Sequence, residues 1–262
     1  MNKVRPKKAL GQHFLTDLSI ARRIADTVDA CPDVPILEVG PGMGVMTQFL
    51  MQKGREFKVV EIDDESVVYL RQHFPSLEGG IVADDFLRMP LDRLFQGRSF
   101  VLTGNYPYNI SSQIFFRMLE YRHLIPCCTG MIQKEVAERL AACPGSKTYG
   151  ILSVLVQAWY DVELLFVVEP GVFNPPPKVR SAVVRLTRNN VEQLGCDERM
   201  FRRVVKTTFN QRRKTLRNNL RPLLSELGLS GVAWLQEDFF NLRPEQLSVE
   251  DFIQLTNRIA NS

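Results

Sequence analysis

The chain has 262 residues, an ordinary globular composition with 45% apolar and 24% charged residues, and a formal net charge of +4, which suits one large domain or one domain with a small appendage. Five cysteines without any C-x-x-C pair and three widely spaced histidines predict a reduced, cytoplasmic protein with neither a disulfide framework nor a metal site. The basic N-terminus lacks the apolar stretch of a signal peptide, and no run approaches the roughly 18 apolar residues of a membrane span, so we expect neither secretion nor membrane insertion.

Strands and helices alternate in the first part of the chain, after a basic N-terminal arm. A helix capped by Thr16 or Asp17 comes first. The predicted elements that follow are a strand at 35–40, a helix at 44–52, a strand at 56–62, a helix at 64–74, strands at 80–84 and 100–105, a helix at 111–121, a strand at 129–133 and a helix at 134–142. This alternation predicts an α/β fold with a doubly wound, Rossmann-like and mostly parallel sheet.

The pattern changes near residue 188. Two closing strands at 161–170 and 181–188 are expected to be antiparallel, and a proline-rich segment joins them. From Asn189 onward the pattern is purely helical. We therefore predict two domains, an α/β domain at 1–188 that includes the basic arm and a small helical domain at 189–262.

Positive charge is concentrated in the helical domain. Residues 199–221 contain nine Lys or Arg residues and no acidic residue, whereas residues 222–262 contain two basic and six acidic residues. A smaller acid-free cluster consists of Lys3, Arg5, Lys7 and Lys8. A single basic run usually indicates a solvated helix face, but two acid-free clusters, one of them interleaved with Phe201 and Phe209, favour a nucleic-acid interface.

A glycine loop, LEVGPGMG at 37–44, follows the first strand and opens a helix, where nucleotide-binding turns occur. Glu61 ends the next strand 21 residues after Gly40, in the position from which a carboxylate accepts hydrogen bonds from ribose hydroxyls. NAD and S-adenosylmethionine both carry such a ribose, and glycines that serve only a tight turn are a third alternative. Because Pro41 removes a backbone donor from a loop that would otherwise cradle pyrophosphate, a cofactor without phosphates is favoured.

Two further strand ends are expected to face the same crevice. Asp85 follows the third strand, where it can meet an adenine amino group, although Asp84 can equally act as a surface cap. The first and fourth strands flank the switch point of a doubly wound sheet. We therefore expect Gly40 and Asn105 to lie on one crevice.

The strand-to-helix loop GNYPYNIS at 104–111 is stiff and polar, since Pro107 fixes its own φ and restricts Tyr106. An adenine amino group is a poor nucleophile because its lone pair is delocalised into the ring. Two acceptors, the side-chain oxygen of Asn105 and a backbone carbonyl ahead of Pro107, are expected to bind its two hydrogens and direct the lone pair at a methyl sulfonium. Tyr108 is expected to stack on the extruded base. The alternative is an Asx turn with buried tyrosines.

Six motifs occur in the order typical of the ribosomal RNA adenine dimethyltransferases: GQHFL, LEVGPGMG, EID, NYPYNIS, FNPPPKVRSAV and FNQRRKTLRNNL. The resemblance covers nearly the whole chain and closely matches the KsgA-type enzymes of the small ribosomal subunit. It implies a monomer that uses S-adenosylmethionine to dimethylate two adjacent adenosines near the 3′ end of small-subunit rRNA during subunit maturation.

The resemblance also implies roles for individual residues. The positions that match the family's cofactor contacts are His13, Leu15, Gly40, Glu61, Asp85 and Asn105. The positions that match its target-adenine site are Asn105, Tyr108 and, packing on the base from the opposite side, Phe173. The residues expected to lie across the RNA backbone are Arg212, Arg213, Lys214 and Arg217.

Two positions depart from the family pattern. His13 stands where Asn is common, which affects only a polar contact. Tyr106 stands where Leu or Ile is common, and we expect it to alter the width of the pocket.

Three other functions compete with this one. The 23S rRNA methylase of macrolide resistance shares the catalytic motif, but the basic motif FNQRRKTLRNNL resembles the small-subunit enzymes more closely. A catalytically silent ribosome-assembly or transcription factor is disfavoured by the intact Gly40, Glu61, Asn105 and Tyr108. An NAD oxidoreductase is disfavoured by Pro41 and by the lack of a hydride-site His or Tyr-x-x-x-Lys motif.

Overall fold

The computed structural model describes Val4, Pro6, Lys7 and residues 10–262. Of the predicted N-terminal basic cluster, Lys3, Arg5 and Lys8 lie outside the described residues. Contacts between Cα atoms divide the chain into two compact units, one formed by residues 1–137 and 161–188 and the other by residues 138–160 and 189–262.

The strands in chain order are β1 (Phe14–Leu15), β2 (Ile36–Val39), β3 (Phe57–Glu61), β4 (Ile81–Ala83), β5 (Val101–Asn105), β6 (Cys127–Gln133), β7 (Tyr160–Val168), β8 (Phe173–Asn174) and β9 (Ser181–Arg188). Seven of them form one sheet in the order β4-β3-β2-β5-β6-β9-β7, and β1 pairs with β8. The strands β4, β3, β2, β5 and β6 are neighbours in that order and pair in parallel, whereas β9 pairs with β6 in the antiparallel direction. The predicted doubly wound α/β fold is confirmed.

The helices in chain order are α1 (Leu18–Ala25), α2 (Thr47–Leu50), α3 (Asp64–His73), α4 (Ser111–Glu120), α5 (Lys134–Leu140), α6 (Ile151–Gln157), α7 (Glu198–Phe209), α8 (Leu216–Glu226) and α9 (Val249–Ala260). Of the two predicted caps, Asp17 caps α1, because its carboxylate accepts hydrogen bonds from the backbone N–H groups of Ser19 and Ile20. Within the described residues, no helix combines the length and apolar character needed to cross a bilayer.

The core of the first unit lies against the buried central strands. The residues of β2 are all buried, as are the first four of β5 and the first six of β6, which is typical of parallel strands covered on both faces. The chain runs outward from β2 through β3 to β4 and then returns to place β5 on the other side of β2. This order creates a switch point between β2 and β5, and the carboxyl ends of these strands form the wall of the site described below.

The second unit differs from its prediction in one segment. Residues 138–160, which the sequence places in the α/β domain, group with the helices of residues 189–262. Tyr149 in this segment is buried and its ring lies 6.4 Å from the ring of Phe209 on α7. The segment therefore belongs by its packing to the helical unit, although strands flank it in the sequence.

The cysteine prediction is wrong for one pair, because Cys31 and Cys127 form a disulfide. Their Cα atoms lie 5.8 Å apart, within the usual range for a bridge. Cys31 follows the turn after α1, and Cys127 begins β6. The fold brings these two positions together across 96 residues of sequence, so no local spacing indicates the pair.

Candidate active site

A cavity of about 190 Å³ lies at the carboxyl ends of β2, β3, β4 and β5. Its wall comes from five segments: residues 10–15, most of 38–46, 60–62, 84–87 and 105–110. Of the predicted cofactor and target-base residues, those that line it are His13, Leu15, Gly40, Glu61, Asp85, Asn105 and Tyr108. The structure thus brings together side chains that lie up to 95 residues apart in the sequence.

The glycine loop forms the floor between β2 and α2. Gly40 and Gly42 have φ values of +68° and +55°, a region that L-residues with a Cβ rarely adopt. A Cβ on Gly42 would also lie 2.8 Å from the ring of Phe14 on β1. The glycines therefore let the N-terminal arm pack directly on the loop.

Glu61 ends β3 on the cavity wall and is buried. Its Oε1 accepts hydrogen bonds from the backbone N–H groups of Ile62 and Asp63, both at 2.9 Å, and its Oε2 accepts one from Gly42 at 3.0 Å. Burial raises the pKa of the Glu61 carboxyl, while the hydrogen bonds from Asp63 and Gly42 act to lower it. The carboxylate is held rigidly, and Oε2, with one bond, keeps capacity to accept from a ligand.

The two acids after β4 differ in their partners. Asp84 accepts a hydrogen bond from the backbone N–H of Asp85 at 2.7 Å. Asp85 accepts one from the N–H of Leu87 at 2.9 Å and pairs with Arg88 at 3.4 Å. Both line the cavity, so the geometry leaves either carboxylate available to an adenine amino group.

Asn105, the last residue of β5, has a defined amide orientation. Its Nδ2 donates a hydrogen bond to the backbone carbonyl of His13 at 3.2 Å. Among the described residues, its Oδ1 accepts no hydrogen bond. The hydrogen bond from Nδ2 fixes which atom is the oxygen, so Oδ1 remains as an acceptor for a ligand.

Tyr108 lies partly buried on the same wall, and its hydroxyl hydrogen-bonds Ser181. Burial raises the pKa of the Tyr108 phenol. The ring of His13 stacks on it with centroids 5.3 Å apart, and His13 Nδ1 donates to the carbonyl of Pro175 at 2.8 Å. His13 thus occupies one side of the Tyr108 ring, which favours stacking of a base on the other side.

Tyr106, which we expect from the sequence to alter the width of the pocket, is among the residues that line the cavity. Its side chain is 1% exposed and turns into the core, where the hydroxyl lies 3.2 Å from Cys128 Sγ and donates to the carbonyl of Thr129 at 3.1 Å. A Cβ at Gly130 would lie 2.6 Å from the ring, so the missing side chain there makes room for it. The core thus accommodates the larger side chain of Tyr106.

Phe173 is the predicted base-site residue that the structure does not bring to the cavity. It pairs with Leu15 between β8 and β1, is 4% exposed and belongs to the hydrophobic core of the first unit. Its ring is therefore covered by protein.

Sequence patterns did not indicate Glu38, which also lines the cavity. It is buried in β2, and its Oε2 accepts a hydrogen bond from Thr47 Oγ1 at 2.7 Å. Burial raises the pKa of the Glu38 carboxyl to about 8. The available signal was an acidic residue inside an otherwise apolar strand, ILEV.

The charge of the cavity is negative. None of the described residues that line it is Lys or Arg, and its carboxyl groups belong to Glu38, Glu61, Asp84 and Asp85. A phosphate-bearing cofactor would find no Lys or Arg side chain among these described lining residues. The wall suits a cationic ligand that carries a ribose and no phosphate.

The predicted RNA-binding residues of the second unit separate into two pairs. Arg213 and Lys214 are exposed, and their side chains make no hydrogen bond or ion pair within the described chain. Arg217 donates to the backbone carbonyls of Leu235, Gln236 and Glu237 at 2.9–3.3 Å. Arg212 also has partners within the protein. It donates a hydrogen bond to the carbonyl of Ser146 at 3.3 Å and forms an ion pair with Glu245 at 3.8 Å.

Known proteins resemble this chain over nearly its whole length. A model of the family "Ribosomal RNA adenine dimethylase" matches residues 3–260. The chain is 68% identical to ribosomal RNA small subunit methyltransferase A of Phocaeicola vulgatus, over 99% of this chain and 91% of that protein. It is 60% identical to the protein of the same name from Porphyromonas gingivalis, over 98% of each.

Solved structures share the fold. A dimethyladenosine transferase from Plasmodium falciparum superposes with a TM-score of 0.76 at 24% identity, over 95% of this chain and 98% of that one. The 23S rRNA methyltransferase ErmE superposes with a TM-score of 0.65 at 28% identity, over 94% and 99%. The prediction from the motifs is confirmed, and the chain is an enzyme of the ribosomal RNA adenine dimethylase family.

Proposed function

We propose that this enzyme uses S-adenosylmethionine to dimethylate the exocyclic amino groups of two adjacent adenosines near the 3′ end of small-subunit rRNA. The observation that carries this proposal is that, within the described part of the chain, Asn105 Oδ1 is unpaired and lies on a cavity wall that contains carboxylates and no Lys or Arg. An acceptor for an amino group and a pocket for a cationic cofactor thereby meet at one switch point.

The residues of the cavity fit this cofactor. Glu61 has acceptor capacity for ribose hydroxyls, Asp85 or Asp84 has it for the adenine amino group, and Gly40 supplies the positive φ of the loop beneath them. Leu15 and His13 complete the wall from the N-terminal arm. When bound, the cofactor supplies an electrophilic methyl group on a sulfonium.

Asn105 would act on the target adenine. Its Oδ1 accepts a hydrogen bond from the amino group, and a backbone carbonyl ahead of Pro107 accepts the second, which directs the nitrogen lone pair toward the methyl group. The proton becomes acidic only as the new bond forms, so positioning and electrostatics replace a strong base.

Tyr108 would hold the extruded base by stacking on the face that His13 leaves open, a contact worth roughly 1–3 kcal/mol. Phe173 enters this proposal with a smaller role. At 4% exposure its ring offers little area to a base, so it supports the wall through Leu15.

We propose that the substrate is the immature small ribosomal subunit. The enzyme would bind it as a monomer, in the cytoplasm. Arg213 and Lys214 are exposed cations with no side-chain partner among the residues that the structure describes, and we assign them to phosphate contacts. Arg212 and Arg217 would contribute chiefly by holding the helical unit together.

The main alternative is the 23S rRNA methylase, and the catalytically silent factor is the second. The 68% identity to a small-subunit enzyme, against 28% to a 23S enzyme, supports the first choice. The test is transfer of labelled methyl groups to purified immature small subunits, followed by mapping of the modified nucleotides. Label in large-subunit rRNA would favour the 23S alternative, and cofactor binding without transfer would favour the silent factor.

A further inference from the structure

Glu38 is a buried carboxyl group that the proposed reaction does not yet use. It is 2% exposed, lies on the cavity wall and receives one hydrogen bond, from Thr47. Among the described residues it forms no ion pair. A carboxylate in such a place loses its hydration without gaining a fixed cation.

The neighbours of Glu38 do not compensate a negative charge. In register, β3 places the apolar Val59 on one side and β5 places Thr103 on the other. The Thr103 hydroxyl is buried and has no hydrogen-bond partner in the protein, so the polar environment there is incomplete. Glu38 therefore lies beside an unsatisfied polar group, at the edge of a cavity that admits a ligand.

Among the described residues that line the cavity, His13 is the one titratable group that can carry a positive charge. The other titratable groups on the wall are Glu61, Asp84, Asp85, Tyr106 and Tyr108. Burial, with a smaller contribution from the charge of Glu61, raises the pKa of Glu38 to about 8, while the hydrogen bond from Thr47 acts to lower it. Without a ligand, Glu38 is thus mostly protonated at neutral pH.

The cofactor and its product differ by one positive charge at sulfur. We propose that Glu38 is the residue by which the cavity distinguishes the sulfonium cofactor from the neutral thioether product, because it ionises when the cation binds and is protonated again when the cation is consumed. This inference rests on the proposed function.

The step balances in atoms and charge. The methyl group leaves without the electron pair of the sulfur–carbon bond, that pair stays on sulfur, and the adenine nitrogen loses one proton. Glu38 takes up one proton, from the amine or from solvent, so the net charge of protein and cofactor remains the same. This protonation of Glu38 favours release of the product, because the neutral thioether has no charge at sulfur that an ionised Glu38 could stabilise.

The proposal predicts a pH dependence whose sign is set by linkage. Between the lower pKa of Glu38 beside the cation and its ligand-free pKa of about 8, binding of the cofactor releases a proton. The affinity for S-adenosylmethionine should therefore rise with pH by up to about tenfold per unit and level off above the ligand-free value. The affinity for S-adenosylhomocysteine should change by less than about twofold over the same range.

Calorimetric titration of the whole protein tests this directly. Both ligands are titrated between about pH 6 and 9 in two buffers of different ionisation enthalpy, which counts the protons released. Glu38→Gln should lose the pH dependence of the ratio of the two affinities, and the control Glu78→Gln, an exposed carboxylate of the same unit, should keep it. Thermal unfolding verifies that each variant folds.

If the ratio of the two ligand affinities does not vary with pH in the wild type, the inference is overturned. It is also overturned if Glu38→Gln keeps the wild-type pH dependence, which would then be assigned to His13. If Glu38→Gln does not fold, Thr47→Val provides the second variant. By removing the donor it should raise the pH at which the cofactor affinity levels off, and an unchanged profile would contradict the proposal. If neither ligand binds the wild type, the proposed function itself fails.

Discussion

The cavity of the first unit and the basic segment of the second differ in how their charged residues are used. In the cavity, the carboxylates that line the wall have few cationic partners and remain available to a ligand. In the basic segment, Arg212 and Arg217 are bonded to the protein, while Arg213 and Lys214 are exposed. A charged side chain in a functional motif is thus evidence for ligand binding only when its internal partners are known.

The largest effect is expected for a substitution in the cavity, at Asn105. Asn105→Ala should reduce methyl transfer by roughly 10²–10³-fold, the range found when one preorganised polar group at a reacting centre is removed. Binding of immature subunits should be almost unchanged, and a modest loss of cofactor affinity is allowed. Single-turnover methylation measured beside subunit binding checks this, and near wild-type turnover would end the catalytic assignment of Asn105.

Cofactor binding should respond next. Glu61→Ala is expected to weaken S-adenosylmethionine binding by about 10- to 100-fold, because a buried polar partner is left unpaired. The same change frees three backbone N–H groups, so thermal unfolding should be recorded with it. Glu78→Ala, at the surface of the same unit, serves as the control, and equal affinities in the two variants would refute the role of Glu61.

The basic segment provides a matched pair of changes. Arg213→Ala with Lys214→Ala should lower the log–log salt slope of subunit binding by about 1.4 to 1.8, because each lost phosphate contact removes about 0.7 to 0.9. Cofactor affinity and unfolding temperature should stay the same. A salt titration that gives parallel lines for variant and wild type would show that these two charges do not meet phosphate.

Arg217→Ala is the variant to compare with the double substitution of Arg213 and Lys214. It should cost about 1–2 kcal/mol of stability, since three backbone carbonyls lose a charged donor, and should change the salt slope little. Urea unfolding checks the first expectation. A slope change as large as that of the double variant, without destabilisation, would reverse the assignment of Arg217.

The smallest effect is expected at Tyr106. Tyr106→Phe removes the hydrogen bond to the Thr129 carbonyl and should cost about 1 kcal/mol of stability. Because this side chain is 1% exposed and its hydroxyl is bonded within the core, dimethyladenosine should remain the dominant product in mass spectrometry of digested rRNA. Accumulation of monomethyladenosine in wild type, relieved in Tyr106→Leu, would restore the view that Tyr106 narrows the site.

Sequence patterns were sufficient where function depends on strand ends. Glu61 and Asn105 could be placed on one crevice because parallel strands expose their carboxyl ends at the same edge, and the alternation of elements specified which strands flank the switch point. Glu38 was missed because the same reasoning treats residues inside a buried strand as packing. Its environment depends on Thr47 and Thr103, which come from other elements.

Long-range partners account for the remaining errors. The carbonyls that hold Arg217 lie 18–20 residues further along the chain in irregular turns, and no periodicity marks them. Cys31 and Cys127 lie 96 residues apart in the sequence, and the fold brings them together. Residues 138–160 join the helical unit through side-chain packing such as that of Tyr149, which a boundary drawn from local patterns cannot detect.

The acceptor that orients Asn105 is a main-chain atom of the N-terminal arm, the carbonyl of His13. Every amino acid carries that carbonyl, so exchange of His13 for the Asn common in the family leaves the amide orientation intact. Insertion or deletion of one residue between Gly11 and Phe14 would instead move another carbonyl, or none, into place. We therefore expect the orientation of Asn105 to depend more on the number of residues in the arm than on the identity of the residue at position 13.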